Sequence, residues 1–358
     1  MSQRAAERHN LQWLDRAIGH SIAYRIHGPE GAPDTWLAVH GGPGGGASGS
    51  ILQPFDLRRQ RVVVIDQRGA GNSRPRGSVR QNTTQALVGD MEALRQSLGV
   101  ARWSLLAGSW GSVVALAYAS AHPDKVDSLV LRGSFALSRR EVRGVLLGLR
   151  DRPRTPHVGQ IARSSWLPAP GAQLASVSRL LQSGALGVAA LHVVRRWSLV
   201  ELALARKGIR RSMRSSALAA DPGSLQSQRR FDAQLARQWR SQLARLGGER
   251  ITKADRAAWR KFRVQAHYLG RSGYMKPADL DKAVIRAASS GIALDWVHGR
   301  FDAICPPDNT RRWQAMAQRW ASVHTGAEMQ WPAGGHLSVE KPLLESLRHL
   351  VQRRRGPE

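Results

Sequence analysis

The sequence predicts an α/β protein: a mostly parallel β-sheet flanked by helices, with a helical segment inserted at residues 135–290. Three observations lead there. Short Val-, Leu- and Ile-rich runs alternate with helical stretches over the first third of the chain, the signature of β-α-β units with right-handed crossovers. The central segment has no convincing strand run and holds Arg-, Ala- and Leu-rich helical stretches instead. From residue 291 the strand signature returns, so both ends of the chain contribute to one sheet.

The elements follow in order. WLAVH at residues 36–40 and RVVVID at 61–66 are apolar at successive positions, so both faces of these strands are expected to be covered; each runs into a Gly-rich turn. Leu87, Val88, Met91, Leu94 and Leu98 recur at three- and four-residue steps, which predicts an amphipathic helix with Gly99 just past its end. WSLLA at 103–107 is a strand, residues 110–122 a helix rich in small side chains, and SLVLRG at 128–133 another strand. Within the insertion, Pro153, Pro156, Pro168, Pro170 and the Pro222-Gly223 pair punctuate the helices. GIALDWVHGR at 291–300 and EMQWP at 328–332 supply the last strands, with a helix at 309–320 between them and a C-terminal helix after. The expected division is residues 1–134 and 291–358 for the core and 135–290 for a helical cap; the QRRRGPE tail is expected to fray.

Composition narrows the function classes. The chain has 358 residues, 54 Lys+Arg against 26 Asp+Glu and one Cys, which excludes a disulfide framework, an iron–sulfur cluster and a Cys-based zinc site. The first twenty residues hold no apolar core of signal-peptide type, and no apolar run is long enough to span a bilayer. A cytoplasmic protein with no membrane span is therefore expected, its oligomeric state left open. Residues 135–290 carry 30 Lys+Arg against 9 Asp+Glu, three quarters of the net charge of +28. Such a region attracts anions through its field. With no nucleic-acid motif and no regular spacing of cations, it reads as a solvated Arg-rich face rather than a nucleic-acid surface.

The stretch that carries chemistry is WSLLAGSWGSVVA at residues 103–115. An apolar strand runs into Ser109 and a helix starts at once, so the serine stands on a sharp turn lifted out of the sheet. Its neighbours two positions either side must be small, because strand and helix nearly touch there; Gly111 fits, and Ala107 is the next smallest choice. A serine hydroxyl is a poor nucleophile and needs a base, and the base needs an acid to hold its tautomer. For a serine on this kind of turn the partners follow as Asp or Glu, then His. Asp302, in HGRFD, follows one returning strand, and His336, in AGGHL, follows the last; both stand beyond strand carboxyl ends, where ligands of parallel sheets bind. Asp308 is a rival acid, read as a cap of the helix beginning at Asn309. Cys305 reads as a small buried filler.

Acyl chemistry also needs donors for a developing oxyanion. HGGPGGG at residues 40–46 follows the first strand, and backbone without side chains can turn its N–H groups toward such an oxygen. The N–H groups of Gly42 and of Trp110 are the expected pair. No GK[ST] follows these glycines, so a phosphate loop is not indicated. Asp66 and Arg68 are expected to brace the loop beneath.

Together HGGPGGG, DQRGAGNS (66–73), NTT (82–84), AGSWGSVVALAYASAHP, LVLRGSF (129–135) and HGRFDAICPP (298–307) resemble the proline iminopeptidase family of α/β-hydrolases, over most of residues 35–135 and 291–340. That resemblance implies the α/β-hydrolase fold with the helical cap over the active site. It implies cleavage of N-terminal residues, typically proline, by a serine peptidase without metal or other cofactor. It also implies that cap carboxylates grip the substrate's free amine, one at Glu201 and the other at a position occupied here by Gln265. Phe135 matches one aromatic wall of the proline pocket, and Leu269 stands where the family has an aromatic. Ser109, Asp302 and His336 form the implied triad, with a short peptide or small acyl compound as substrate. Because a neutral amide supplies no charge, an esterase or amidase without free-amine recognition stays open as the alternative.

Overall fold

Strands that are apolar at successive positions cannot leave a face in water, and in the computed structural model they form one eight-stranded sheet; residues 10–147, 170–219, 221–321 and 327–353 are described. The strands are β1 (Gln12–Arg16), β2 (His20–His27), β3 (Thr35–Val39), β4 (Arg61–Ile65), β5 (Trp103–Gly108), β6 (Val126–Arg132), β7 (Ala293–Val297) and β8 (Ala327–Gln330). They lie in the order β1-β2-β4-β3-β5-β6-β7-β8. From β4 to β8 all neighbours are parallel, whereas β1 with β2 and β2 with β4 are antiparallel. The sequence reading missed β1 and β2. Ile22, Tyr24 and Ile26 alternate with Ala23 and Arg25, a period of two that was available to it; these three side chains pack into the main core.

The helices are α1 (Thr84–Ser97), α2 (Trp110–Ala121), α3 (Arg139–Leu147), α4 (Pro170–Gln182), α5 (Val188–Leu218), α6 (Pro222–Ala244), α7 (Lys253–Leu269), α8 (Pro277–Ser289), α9 (Asp308–Trp320) and α10 (Lys341–Arg353). Thr83 caps α1 by accepting from Ala86 N at 3.1 Å. Helix α2 is almost wholly buried against the sheet, with Val113, Val114, Leu116 and Tyr118 fully enclosed. Pro170 and Pro222 each occupy a first helical position, where a missing N–H costs nothing. Pro153, Pro156, Pro168 and the last five residues of the tail lie outside the described residues. The rival acid Asp308 is not the cap of α9. Pro307 holds that position without a side-chain bond, and Asp308, one residue into the helix, pairs with Arg140 of α3 at 2.8 Å.

Between β6 and β7 every regular element among the described residues is helical. Arg195 of α5 joins Asp255 of α7 through a buried, two-pronged ion pair at 3.0 and 2.9 Å. The hydrogen bonds from Arg195, and then from Thr252, hold the Asp255 carboxyl well below the usual carboxylate range despite burial. Helix α5 meets the core at Gly208, where a Cβ would stand 2.9 Å from Phe301 O and 3.0 Å from the Gly335 Cα. Ser212, one turn on, donates to Ala333 O. The longest helix of the insertion thus rests on the loops after β7 and β8. Gly208→Val should lower stability by about 1–3 kcal/mol through overpacking, read as an earlier urea midpoint with unchanged slope.

Candidate active site

At the end of β5 the chain reverses through Ser109, which adopts φ 54° and ψ −125°, and α2 begins at the next residue. A serine at positive φ is strained, so its surroundings must hold it. Its N–H donates to Arg132 O at 2.9 Å, and its carbonyl accepts from Ser112 N at 3.0 Å. A Cβ at Gly111 would lie 2.6 Å from Val39 O, which is why that position is glycine.

His336 and Asp302 meet as expected: Nδ1 lies 2.7 Å from Oδ2, both residues buried. Asp302 Oδ1 accepts from Ile304 N at 2.8 Å and Cys305 N at 2.9 Å. Burial raises this carboxyl, but electrostatic attraction to His336 and the hydrogen bonds from His298 and His336 outweigh it and hold it below the ordinary carboxylate range. An ionised Asp302 can only accept, so His336 Nδ1 carries the proton and Nε2 is left as the basic nitrogen.

Sequence reasoning missed three groups around this pair. His298 Nε2 lies 3.4 Å from Asp302 Oδ2 and bonds Cys305 O at 2.8 Å, while its Nδ1 faces Thr310 Oγ1 at 2.8 Å. The carbonyl can only accept, so His298 is protonated at Nε2 and accepts a hydrogen bond from the Thr310 hydroxyl at Nδ1. Glu340 clamps the backbone on both sides of His336, accepting from Gly335 N at 2.7 Å and Leu337 N at 2.9 Å. Arg132, partly buried, donates to the His336 carbonyl. Glu340 follows His336 by four residues, a spacing that suits such a clamp but carries no motif of its own.

The Ser109 hydroxyl does not hydrogen-bond to His336 in this structure. Its polar neighbour is Cys305 Sγ, at 3.9 Å. Serine and imidazole share one cavity of about 480 Å³, also lined by Gly41, Gly42, Trp110 and Phe135. Catalytic hydrogen bonds are commonly long or poorly aligned without substrate. Cys305 is the buried filler the sequence suggested; burial and then Asp302 push its thiol well above the usual range, so it stays protonated.

The two expected oxyanion donors sit on segments tied together by a residue not singled out before. Gln67 donates through Nε2 to His40 O at 2.7 Å and accepts the Trp110 indole N–H at 3.0 Å. His40 accepts from Gln67 N at Nε2, 3.1 Å away, so its Nδ1 donates to Gly41 O at 2.7 Å. Burial lowers its pKa, keeping that ring neutral. Asp66 braces the glycine loop as expected, accepting from Ala47 N at 2.8 Å and Asn72 N at 2.9 Å. Arg68 does not join it; it pairs with Asp90 of α1 at 2.6 and 2.8 Å.

Glu201 on α5 and Gln265 on α7 reach the same cavity, with Leu269 beside them. The Glu201 carboxylate is not open, however. Oε2 pairs with Lys261 Nζ, and Oε1 accepts from Gln265 Nε2 at 2.9 Å. The carboxylate implied to hold the substrate's amine is thus already paired with this lysine, which precedes Gln265 by four residues and so shares its helix face. Of the insertion's other two glutamates, Glu141 is buried and accepts from Ala136 N and Ser138 N, and Glu249 is exposed.

Residues 37–340 match the alpha/beta hydrolase fold family, and the chain belongs to it. A putative aryl esterase from Burkholderia cenocepacia superposes with a TM-score of 0.57 at 16% identity, covering 96% of this chain and 98% of that one, a likeness of fold. Within that fold family the chain is a member of the proline iminopeptidase family: it is 30% identical over 342 residues to the proline iminopeptidase of Neisseria meningitidis, 93% of this chain and 92% of that protein. A probable proline iminopeptidase from Leptolyngbya boryana is 48% identical over 124 residues, 34% of this chain. That match spans 38% of the relative's own length. No helix among the described residues is long and apolar enough to cross a membrane.

Burial pushes the Glu340 carboxyl up to about 7, from an ordinary value of 4.5, against the two backbone N–H groups that favour its charge. The folded state therefore binds this proton more tightly than the unfolded chain does. Its contribution to stability is full in acid and is lost as pH rises from about 4.5 to about 7, on the order of 3 kcal/mol at most. Glu340→Gln should flatten that part of the stability–pH curve, measured by urea unfolding between those limits.

Proposed function

We propose that this protein is a serine aminopeptidase that releases N-terminal proline, or a small apolar residue, from short peptides. The observation that carries the reading is the Asp302–His336 hydrogen bond beside a strained Ser109 on one cavity wall, in a chain related along nearly its whole length to a proline iminopeptidase. Residues 135–290 act in this reading as a cap that limits substrates to short ones, and no metal is required.

Ser109 Oγ attacks the carbonyl carbon of the first residue as His336 Nε2 takes its proton. The tetrahedral oxyanion is held by the Gly42 and Trp110 N–H groups. The C–N bond then breaks, and His336 gives its proton to the departing amine, leaving an acyl ester on Ser109. Water attacks that ester with His336 again as base, releasing the amino acid and restoring the hydroxyl. Asp302 keeps the imidazole oriented throughout. Phe135 would pack against the pyrrolidine ring, and Glu201 with Gln265 would receive the amine.

One observation favours a second reading, an esterase or amidase indifferent to the amine: Glu201 is already engaged by Lys261 and Gln265. A proline arylamide and its N-acetyl form separate the two. The aminopeptidase reading expects the free amine to be preferred and Ser109→Ala to cut its turnover by roughly 10⁴-fold or more, with the thermal melt unchanged. A preference for the acetylated substrate would support the second reading, and full activity in Ser109→Ala would end both.

A further inference from the structure

Among the described residues, Lys261 is the cation paired with the carboxylate expected to hold the substrate's amine, and nothing in the proposed reaction uses it. Its ammonium pairs with Glu201 Oε2 and stands 4.7 Å from the centre of the Phe262 ring, which in turn stacks on Trp197 at 4.8 Å. Both ends of the ion pair are about three-quarters buried, with side-chain exposures of 28% for Lys261 and 26% for Glu201. Lys261 also lines a second cavity of about 480 Å³ on the far side of the glycine loop, bounded by Gly41, Gly42, Gly45 and Arg132. It therefore faces both the chamber that holds Ser109 and the space beyond it.

A substrate carrying only a positive amine gains less from this wall than one carrying both charges. To reach Glu201 it must displace Lys261, which then stands about three-quarters buried without that partner. A substrate with both signs of charge avoids that cost: its ammonium takes the place of Lys261 on Glu201, and its carboxylate takes the place of Glu201 on Lys261. Two ion pairs then replace one. A short peptide keeps its two charges close together, since a residue spans at most about 3.6 Å, and a lysine head swings on a flexible four-carbon stem. The buried Gln265 Oε1, without a hydrogen-bond partner among the described residues, offers a further acceptor beside the amine position.

We infer that Lys261 selects zwitterionic di- and tripeptides by exchanging its bond to Glu201 for one to the substrate's C-terminal carboxylate. This rests on the aminopeptidase reading above and names the substrate class of that site. Lys261 is the determinant of which peptides are cleaved, and the chemical steps at Ser109 proceed without it.

The test compares kcat/KM for the dipeptide proline–glycine with that for its C-terminal amide, in wild type, Lys261→Met and Lys261→Arg. The expected result is a preference for the free acid of about 10-fold or more in wild type, retained in Lys261→Arg and reduced to within about 2-fold in Lys261→Met. A thermal melt run on each variant shows that it is folded, and measurable turnover of either dipeptide shows that it is competent. An unchanged ratio in a folded Lys261→Met, or no preference in wild type, overturns the inference and leaves the aminopeptidase reading standing. Failure of wild type to cleave any of the free-amine proline substrates overturns that reading, and this inference with it.

Discussion

The hydrogen bond between Asp302 and His336 is the constraint on which the arrangement depends. It joins two loops that follow different strands, and it decides which imidazole nitrogen carries a proton. Each partner is held in turn by further hydrogen bonds. Two backbone N–H groups and His298 fix the carboxylate, while Glu340 and Arg132 grip the backbone around the histidine. An imidazole set in this way keeps its basic nitrogen fixed in the cavity it shares with Ser109. The serine, at positive φ, is held just as firmly by the parallel sheet.

The insertion is coupled to that centre through two helices. Helix α5 touches the acid and base loops at Gly208, close enough that no side chain fits. Helix α7 brings Lys261 and Gln265 to face Glu201. The Arg195–Asp255 pair ties these two helices to each other, so the wall opposite Ser109 is set by the same contacts that seat the insertion. Arginine is abundant there, yet several of these side chains answer carboxylates: Arg206 and Arg210 both reach Asp232. The cation that matters for the cavity is a lysine.

Much of this was legible in the sequence because the physics is local. Unbroken apolar runs such as RVVVI mark strands covered on both faces, and a small residue on either side of Ser109 is demanded by the strand-to-helix turn itself. Asp302 and His336 were found because chain order and position after a strand are visible without coordinates. Other groups were not legible, because their roles exist only across long sequence separations. Lys261 acquires meaning from Glu201, sixty positions earlier; Gln67 from His40 and Trp110; His298 and Glu340 from the loop each of them braces. Asp308 was misjudged because the helix begins one residue before the position assumed. The hairpin-like β1 and β2 were passed over although Ile22, Tyr24 and Ile26 carried the period.

The most direct test of the central claim is to locate the adduct formed by a fluorophosphonate, which phosphonylates a serine activated by an adjacent base. Mass spectrometry of the digested protein should place one adduct on Ser109, formed on the order of 10³-fold more slowly when His336 is replaced by Gln. An adduct on another residue, or labelling of Ser109 at the same rate in that variant, would contradict the account.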